Sequence, residues 1–385
     1  MMNAYFGRPA SVRPTNRVRI LAVSLLIWGL AGMISAQTAK PVEPSTIAAI
    51  DTHLKALEQR GFAGSVLIAE GDRPLLEKGY GLADRKRQLP WTPRTVSTTG
   101  SITKQFTAAA IALLADEGRL KTTDTLSKHF SAVPEDKRDI TLHHLLTHSS
   151  GIVDLAGASD SDKIGRDEFV RRALAQDLKF QPGESYAYSN AGYSLLAAII
   201  EQQSGMPYER FLRQRLFEPA GMYETGYVLP GWNPDLVARG YRDGKDAGTV
   251  LEFPMAEDGP YWVLRGNGGI HTTAYDMLRW ARSLLAGRVL SKSTLEKLWT
   301  PYQDEGGGSS FYGYGWVVLD VRGTRVLTHN GGNPFYFADL AIVPDRDLFI
   351  FLQTNVFADQ PQADRLLGSM LGALLQGRPM PDLDQ

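Results

Sequence analysis

Residues 100–118 read GSITKQFTAAAIALLADEG, which places a serine and a lysine at the start of a long apolar-periodic segment. The pattern predicts a helix over Ile102–Glu117, ended by Gly118. Ser101 and Lys104 then lie on one face, one turn apart. A lysine amine at that distance can take the proton of a serine hydroxyl, and a helix N-terminus favours the negative charge that develops. Ser101 is therefore a candidate nucleophile with Lys104 as its base. The alternative is an N-cap serine beside a solvated lysine.

The composition narrows the classes of chemistry. The chain has 385 residues, 41 Lys and Arg against 42 Asp and Glu, 43% hydrophobic residues and no cysteine. These values are typical of a folded globular protein, and the balanced charge gives no reason to expect a nucleic-acid partner. Without cysteine there is no disulfide scaffold, no thiolate metal site and no thiol nucleophile. Covalent chemistry must therefore use a hydroxyl, a carboxylate or an amine.

The first residues resemble a secretory signal. Residues 1–36 contain arginines but no acidic residue, and an uncharged run from Ile20 to Ala39 ends in small residues near Ser35-Ala36. This layout predicts a signal peptide over 1–36 and an exported, periplasmic or secreted protein. An uncleaved anchor helix is the alternative, which would be the chain's one link to a membrane. Ile20–Ile34 is shorter than the roughly 20 residues that span a bilayer, which favours cleavage.

The rest of the chain predicts an α/β fold of the α+β type. A helix at Thr46–Arg60 precedes a hairpin made of Ser65–Ala69 and Leu75–Tyr80. Residues 101–285 are mainly helical, with further predicted helices at Thr141–His148, Asp167–Leu174, Ala191–Gln203 and Ala274–Leu285. Four strands and a last helix follow, at Tyr314–Val321, Arg325–Thr328, Phe337–Val343, Leu348–Gln353 and Gln362–Leu375.

This order predicts an antiparallel sheet that is flanked by the N- and C-terminal helices and interrupted by a large, mainly helical lobe. One domain then covers residues 46–376. Its sheet lobe consists of about 46–95 and 306–376, and its helical lobe of about 100–300. Ligand sites favour the boundary between two such lobes.

A second candidate constellation is Tyr188-Ser189-Asn190, directly before an apolar helix. A nearby ammonium would lower the pKa of Tyr188, which could then act as a general base. Asn190 could supply amide donors and acceptors. The alternative is a helix cap formed by Ser189 or Asn190, with Tyr188 packed beside it.

A third candidate is His329-Asn330-Gly331-Gly332, at the end of the predicted strand Arg325–Thr328. The glycines would let a substrate carbonyl approach the backbone, and the Gly332 N–H could form an oxyanion hole with that of Ser101. The alternative is a hairpin turn, for which Asn-Gly is a strong signal.

Two rival chemistries have weaker support. His144 and His148 are spaced as zinc ligands on a helix can be, but the Glu of the His-Glu-x-x-His pattern and a third ligand are missing. The chain contains neither the Gly-x-Ser-x-Gly of an α/β-hydrolase nor a nucleotide-binding glycine pattern.

Taken together and in this order, these segments resemble the serine β-lactamase-like superfamily: class C β-lactamases, DD-peptidases and related serine esterases. The resemblance covers about residues 46–376. It is carried by the segments 99–106 (TGSITKQF), 145–152 (LLTHSSGI), 180–190 (FQPGESYAYSN), 268–277 (GGIHTTAYDM) and 329–332 (HNGG).

The resemblance implies that Ser101 is the nucleophile, Lys104 its activator and Tyr188 the partner base. Asn190 would orient Lys104 and the substrate, and the Ser101 and Gly332 amides would hold the oxyanion. The family needs no metal and no cofactor.

One departure affects the expected substrate. Such lactamases usually carry Lys-Thr-Gly where this chain has His329-Asn330-Gly331. A neutral histidine is a poorer partner for the β-lactam carboxylate than a lysine is. We therefore expect an exported serine hydrolase that cleaves an amide or ester of a small molecule or peptide, a peptidase or esterase rather than an efficient β-lactamase. The alternative function is a non-catalytic cell-envelope binding protein that retains the fold.

Overall fold

In a computed structural model, which describes residues 41–159, 162–253 and 255–382, an eight-stranded sheet carries helices on both faces. The predicted signal peptide over 1–36 lies outside these residues. Within the described ranges, no helix has the length and apolar content needed to cross a membrane.

The sheet joins the two ends of the domain. In space its strands follow the order β3-β4-β5-β6-β7-β8-β1-β2, and all neighbours are antiparallel. The N-terminal hairpin β1–β2 is added to the C-terminal strands because β1 pairs with β8. The strands are β1 Gly64–Glu70, β2 Arg73–Tyr80, β3 Gln303–Asp304, β4 Ser310–Tyr312, β5 Val317–Val321, β6 Thr324–Gly332, β7 Phe337–Val343 and β8 Leu348–Thr354.

The helices fall into two groups. The terminal helices α1 and α9 pack together and on the sheet, while the others belong to the inserted lobe. The main helices are α1 Pro44–Gln59, α2 Thr103–Asp116, α3 Leu142–Leu146, α4 Arg166–Ala175, α5 Asn190–Ser204, α6 Tyr208–Leu212, α7 Ala274–Leu285, α8 Lys292–Leu298 and α9 Leu366–Gln376. The inserted lobe also holds two one-turn helices, Leu126–His129 and Glu218–Ala220. In the part of the chain that the structure describes, two short hairpins lie wholly within this lobe, Arg239–Arg242 with Lys245–Thr249 and Met255–Ala256 with Gly259–Pro260.

The central strands β1, β7 and β8 are buried on both faces, which explains their nearly continuous apolar sequences. In β1, Val66 and Ile68 face the terminal helices, while Leu67 and Ala69 face the inserted lobe, because successive side chains of a strand point to opposite sides. Burial of each large apolar side chain contributes about 1.5–3 kcal/mol. One core therefore holds the inserted lobe against one face of the sheet, and the other holds the terminal helices against the opposite face.

The predicted fold class is confirmed, and four local expectations need correction. The sheet has two further short strands, β3 and β4, and β5 begins at Val317 rather than at residue 314. The helix predicted over Thr141–His148 ends at Leu146. The strand predicted to end at Thr328 continues to Gly332, so His329–Gly332 form the end of β6 and not a turn. The pairing of β6 with β7 shows that the strand continues this far, since Gly332 pairs with Phe337.

Candidate active site

Ser101 lies in a tight helical turn, Gly100–Ile102, that continues directly into α2. The turn is pressed against the end of β6. Gly100 has φ +51°, and a Cβ there would come within 2.3 Å of the Gly332 nitrogen. A Cβ on Gly331 would come within 2.1 Å of the Ser101 nitrogen. Glycine is therefore required on both sides, because any side chain would separate Ser101 from the strand.

Lys104 is fully buried, with 0% of its surface exposed, and its amine has three oxygen partners. Nζ lies 3.1 Å from Ser101 Oγ, 2.6 Å from Asn190 Oδ1 and 2.7 Å from the Asn267 carbonyl oxygen. The last two oxygens can only accept hydrogen bonds. A neutral amine would direct its two N–H bonds to these acceptors, so that its lone pair would face the Ser101 hydroxyl.

Tyr188 and Asn190 reach the same point from the start of α5. Ser189 is the N-cap of this helix, since its Oγ accepts a hydrogen bond from the Gly192 N–H at 3.2 Å. Asn190 follows as the first helical residue. The helix cap, which the sequence offered as the alternative interpretation of this segment, is thus present. It fixes the backbone between Tyr188 and Asn190.

The Tyr188 ring lies against Lys104, whose Nζ is 4.7 Å from the ring centroid. Burial raises the pKa of the Tyr188 phenol, and the nearby Ser101 hydroxyl acts in the opposite direction. The expectation that a nearby ammonium lowers the pKa of Tyr188 is therefore wrong. Loss of solvent around the buried ring disfavours the phenolate more strongly than a nearby positive charge favours it. Among the described residues, the Tyr188 hydroxyl is near that of Ser101 but forms no hydrogen bond of standard geometry.

The end of β6 offers a backbone N–H close to Ser101. Asn333 N donates to the Tyr336 carbonyl across the hairpin with β7. Because N–H groups alternate along an extended strand, the preceding N–H, that of Gly332, points away from β7. The pairing of β5 with β6 stops at Thr328, which leaves this edge of Gly332 to the Ser101 turn.

His329 is buried and neutral. Its Nε2 is 3.0 Å from the Tyr312 hydroxyl and its Nδ1 is 2.6 Å from the Asn330 carbonyl oxygen. Burial lowers the pKa of His329 to about 3. The position where the resemblance leads one to expect a lysine therefore supplies no positive charge near neutral pH. Asn330, half-buried between His329 and Gly331, completes the segment.

The two histidines of the metal alternative have other roles. His144 and Thr141 form a capping box at the start of α3. His148 is enclosed by aromatic rings, with Tyr188 at 4.2 Å and Tyr312 at 4.5 Å between centroids. Across the described residues, there is no group of three or more His, Cys, Asp or Glu that could hold a metal ion.

Two neighbours of the site were not expected from the sequence. Asn267 presents its backbone carbonyl to Lys104, while its side-chain Nδ2 donates to Ser194 Oγ at 2.8 Å and to the Val263 carbonyl at 2.6 Å. Asp154 Oδ1 accepts the Asn190 N–H at 2.8 Å. Asn267 directly precedes the Gly268-Gly269 segment, which is the one local signal that could have drawn attention to it. A backbone carbonyl has no residue-specific signature.

Comparison with known proteins agrees with this geometry. The sequence model of the Beta-lactamase family matches residues 47–373. A penicillin-binding protein of Bacillus subtilis (strain 168) is 32% identical over 304 residues, which cover 74% of this chain and 67% of that protein. A D-aminopeptidase of Gluconobacter oxydans (strain 621H) is 27% identical over 84% of this chain and 62% of its own length.

A solved structure shows the same fold. The octameric penicillin-binding protein homologue of Pyrococcus abyssi superposes with a TM-score of 0.72 at 26% identity, over 87% of this chain and 77% of that chain. The expected resemblance is thus confirmed over most of the sequence. The chain belongs to the Beta-lactamase family and is a serine hydrolase.

Proposed function

We propose that the protein cleaves an amide or ester bond through a covalent acyl-enzyme on Ser101. The observation that carries this proposal is the position of Lys104. Its amine is 3.1 Å from Ser101 Oγ and is held by two oxygens that can only accept hydrogen bonds. No such arrangement is needed for a solvated lysine beside a capping serine.

The reaction follows from these contacts. Neutral Lys104 takes the proton of Ser101 as Oγ attacks the substrate carbonyl carbon. The N–H groups of Ser101 and Gly332 stabilise the oxyanion. Tyr188 passes its phenol proton to the leaving amine or alkoxide as the bond to it breaks, and the Lys104 ammonium returns a proton to Tyr188. This step leaves an ester on Ser101 and a neutral Lys104. Water, activated by Tyr188 and Lys104, then hydrolyses this ester and restores the Ser101 hydroxyl.

Charges around the site favour a peptidase or esterase over an efficient β-lactamase. His329 is neutral and cannot pair with a substrate carboxylate as lysine would. Two carboxylates lie close to the Tyr188 segment instead: Glu305 accepts from the Tyr186 hydroxyl at 2.8 Å, and Asp154 accepts the Asn190 N–H. The D-aminopeptidase relative makes amides and short peptides of D-amino acids the first substrates to test. We further propose that the protein acts outside the cytoplasm, because residues 1–36 have the layout of an export signal.

The test is a substrate panel with the mature protein, from residue 37, and its Ser101→Ala variant. A p-nitrophenyl ester, a D-amino-acid amide and a chromogenic cephalosporin are compared by kcat/KM. We expect Ser101-dependent turnover of the ester or the amide. The kcat/KM for the cephalosporin should be the lowest of the three, because losing one charge-assisted hydrogen bond to its carboxylate costs on the order of 10- to 100-fold.

Mass spectrometry after incubation with a fluorophosphonate provides a direct readout. The adduct should be found on Ser101 and be absent from Ser101→Ala. A folded wild-type protein that neither turns over any of the three substrates nor carries the adduct would contradict the proposal and favour the binding-protein alternative.

A further inference from the structure

His148 occupies an unusual place directly beside the catalytic segment. It follows α3 in the left-handed backbone region, with φ +57°, and is 1% exposed. For a residue other than glycine this conformation is uncommon, and it persists only where surrounding contacts hold it.

These contacts lie on both sides of Tyr188. The His148 carbonyl accepts the Ala187 N–H at 2.9 Å, and His148 Nδ1 accepts the Ser189 N–H at 3.1 Å. Between these two bonds, the imidazole packs against the Tyr188 ring with centroids 4.2 Å apart. One residue therefore holds the backbone before Tyr188, the backbone after it and the ring itself.

The Ser189 contact requires one form of the imidazole. Nδ1 must be unprotonated to accept the Ser189 N–H, so the proton is on Nε2. Nε2 has no hydrogen-bond partner in the described part of the chain, and the ring also contacts Tyr193 and Tyr312. Burial keeps the pKa of His148 well below its ordinary value, so the ring stays neutral.

We propose that His148 is a positioning residue that directs the Tyr188 phenol towards Ser101 and the leaving group. It does not touch the substrate. The inference rests on the proposed function, in which Tyr188 passes a proton to the leaving group. Tyr188 needs such support because, among the described residues, its hydroxyl is near the reacting Ser101 hydroxyl but forms no hydrogen bond of standard geometry that would hold the ring in place.

Two substitutions separate this role from simple stabilisation. Asn and Gly both tolerate a left-handed backbone, so neither His148→Asn nor His148→Gly adds strain there. Asn keeps a side-chain oxygen that can accept the Ser189 N–H, but lacks the ring. Gly lacks both. His143→Asn is the matched control, because His143 lies on α3 and bonds the Tyr314 hydroxyl at 2.7 Å.

The readout is kcat/KM, which reports acylation, for an amide and a p-nitrophenyl ester with the same acyl group. Nitrophenolate leaves without a proton, whereas an amine needs one. A misplaced Tyr188 should therefore lower the amide value much more than the ester value, by up to about 100-fold for His148→Gly. The amide-to-ester ratio should fall from wild type to His148→Asn to His148→Gly, and should be unchanged in His143→Asn.

An amide-to-ester ratio that stays at the wild-type value in the His148 variants would overturn the inference, as would equal loss on both substrates. If His148→Gly does not fold, as judged by circular dichroism, the ratio of His148→Asn decides, because it lacks the ring contact. A wild-type protein without Ser101-dependent turnover would instead refute the proposed function. The two failures are thus distinguishable.

Discussion

Asn190 links the Lys104 amine to the Asp154 carboxylate. Its Oδ1 is 2.6 Å from Lys104 Nζ, and its own N–H is bonded to Asp154 at 2.8 Å. The amide is uncharged, so it orients the amine without favouring the ammonium. A carboxylate of the same size in this position would retain the acceptor and add a charge.

We therefore predict that Asn190→Asp lowers kcat/KM at pH 7 and moves the rising limb of its pH profile upward by roughly 1–3 pH units. An opposite charge at this distance favours the ammonium form of Lys104, which cannot take the Ser101 proton. Rates across pH 6–10 check this expectation. Asn190→Ala is the control, since it weakens activity without adding charge. A limb at the same pH in Asn190→Asp and in wild type would contradict the prediction.

At the scale of the elements, the start of α5 combines a stabilising cap with the proposed catalytic residues Tyr188 and Asn190. Ser189 Oγ accepts the Gly192 N–H at 3.2 Å. Ser291 caps α8 in the same way, with its Oγ accepting the Thr294 N–H at 3.2 Å. The two serines form the same kind of hydrogen bond. However, α8 lies at the C-terminal end of the inserted lobe's sequence and contributes no residue to the site described above.

The two caps make a matched pair of substitutions. Ser189→Ala and Ser291→Ala should each lower the free energy of unfolding by about 1 kcal/mol. Only Ser189→Ala should also reduce kcat, because it loosens the turn that carries Tyr188 and Asn190. Urea unfolding and steady-state kinetics measure the two effects. Equal kcat in both variants would show that the cap does not contribute to the geometry of the site.

At the scale of the whole molecule, buried neutral histidines make stability depend on pH. His271 is 2% exposed, and neither ring nitrogen has a hydrogen-bond partner among the described residues. Burial lowers its pKa to about 3, and that of His329 also to about 3. Below the ordinary pKa of about 6.5 the unfolded chain binds protons that the folded chain does not. Stability is therefore fully present above that pH and is lost as the pH falls towards 3.

His271→Leu should remove one such contribution. Between pH 7 and pH 5 the variant should lose about 2 kcal/mol less free energy of unfolding than wild type, since each pH unit below 6.5 costs about 1.4 kcal/mol per histidine. Urea denaturation at both pH values provides the comparison. His53→Leu, at a half-buried position on α1, should change the pH dependence much less. An identical loss in wild type and His271→Leu would refute the account.

Local pattern was sufficient for most of the architecture. The period of the apolar residues predicts α2, the helix–hairpin start and the antiparallel C-terminal strands, because each element buries a face that its own sequence defines. Candidate site residues such as Ser101, Lys104 and Asn190 could be named for the same reason. They sit at helix starts, where the hydroxyl, amine and amide have a recognisable local context.

Other features depend on segments that are distant in the chain. The Asn267 carbonyl and the His148 ring reach the site only after folding, and the close contact of Gly100 with Gly331 requires α2 to meet β6. The direction of the Tyr188 pKa shift could not be read locally either, because it is set by burial. Thus the sequence by itself determined the fold class and the principal chemical groups. Only the tertiary structure decided how those groups are oriented and charged, since orientation and desolvation arise from packing between distant segments.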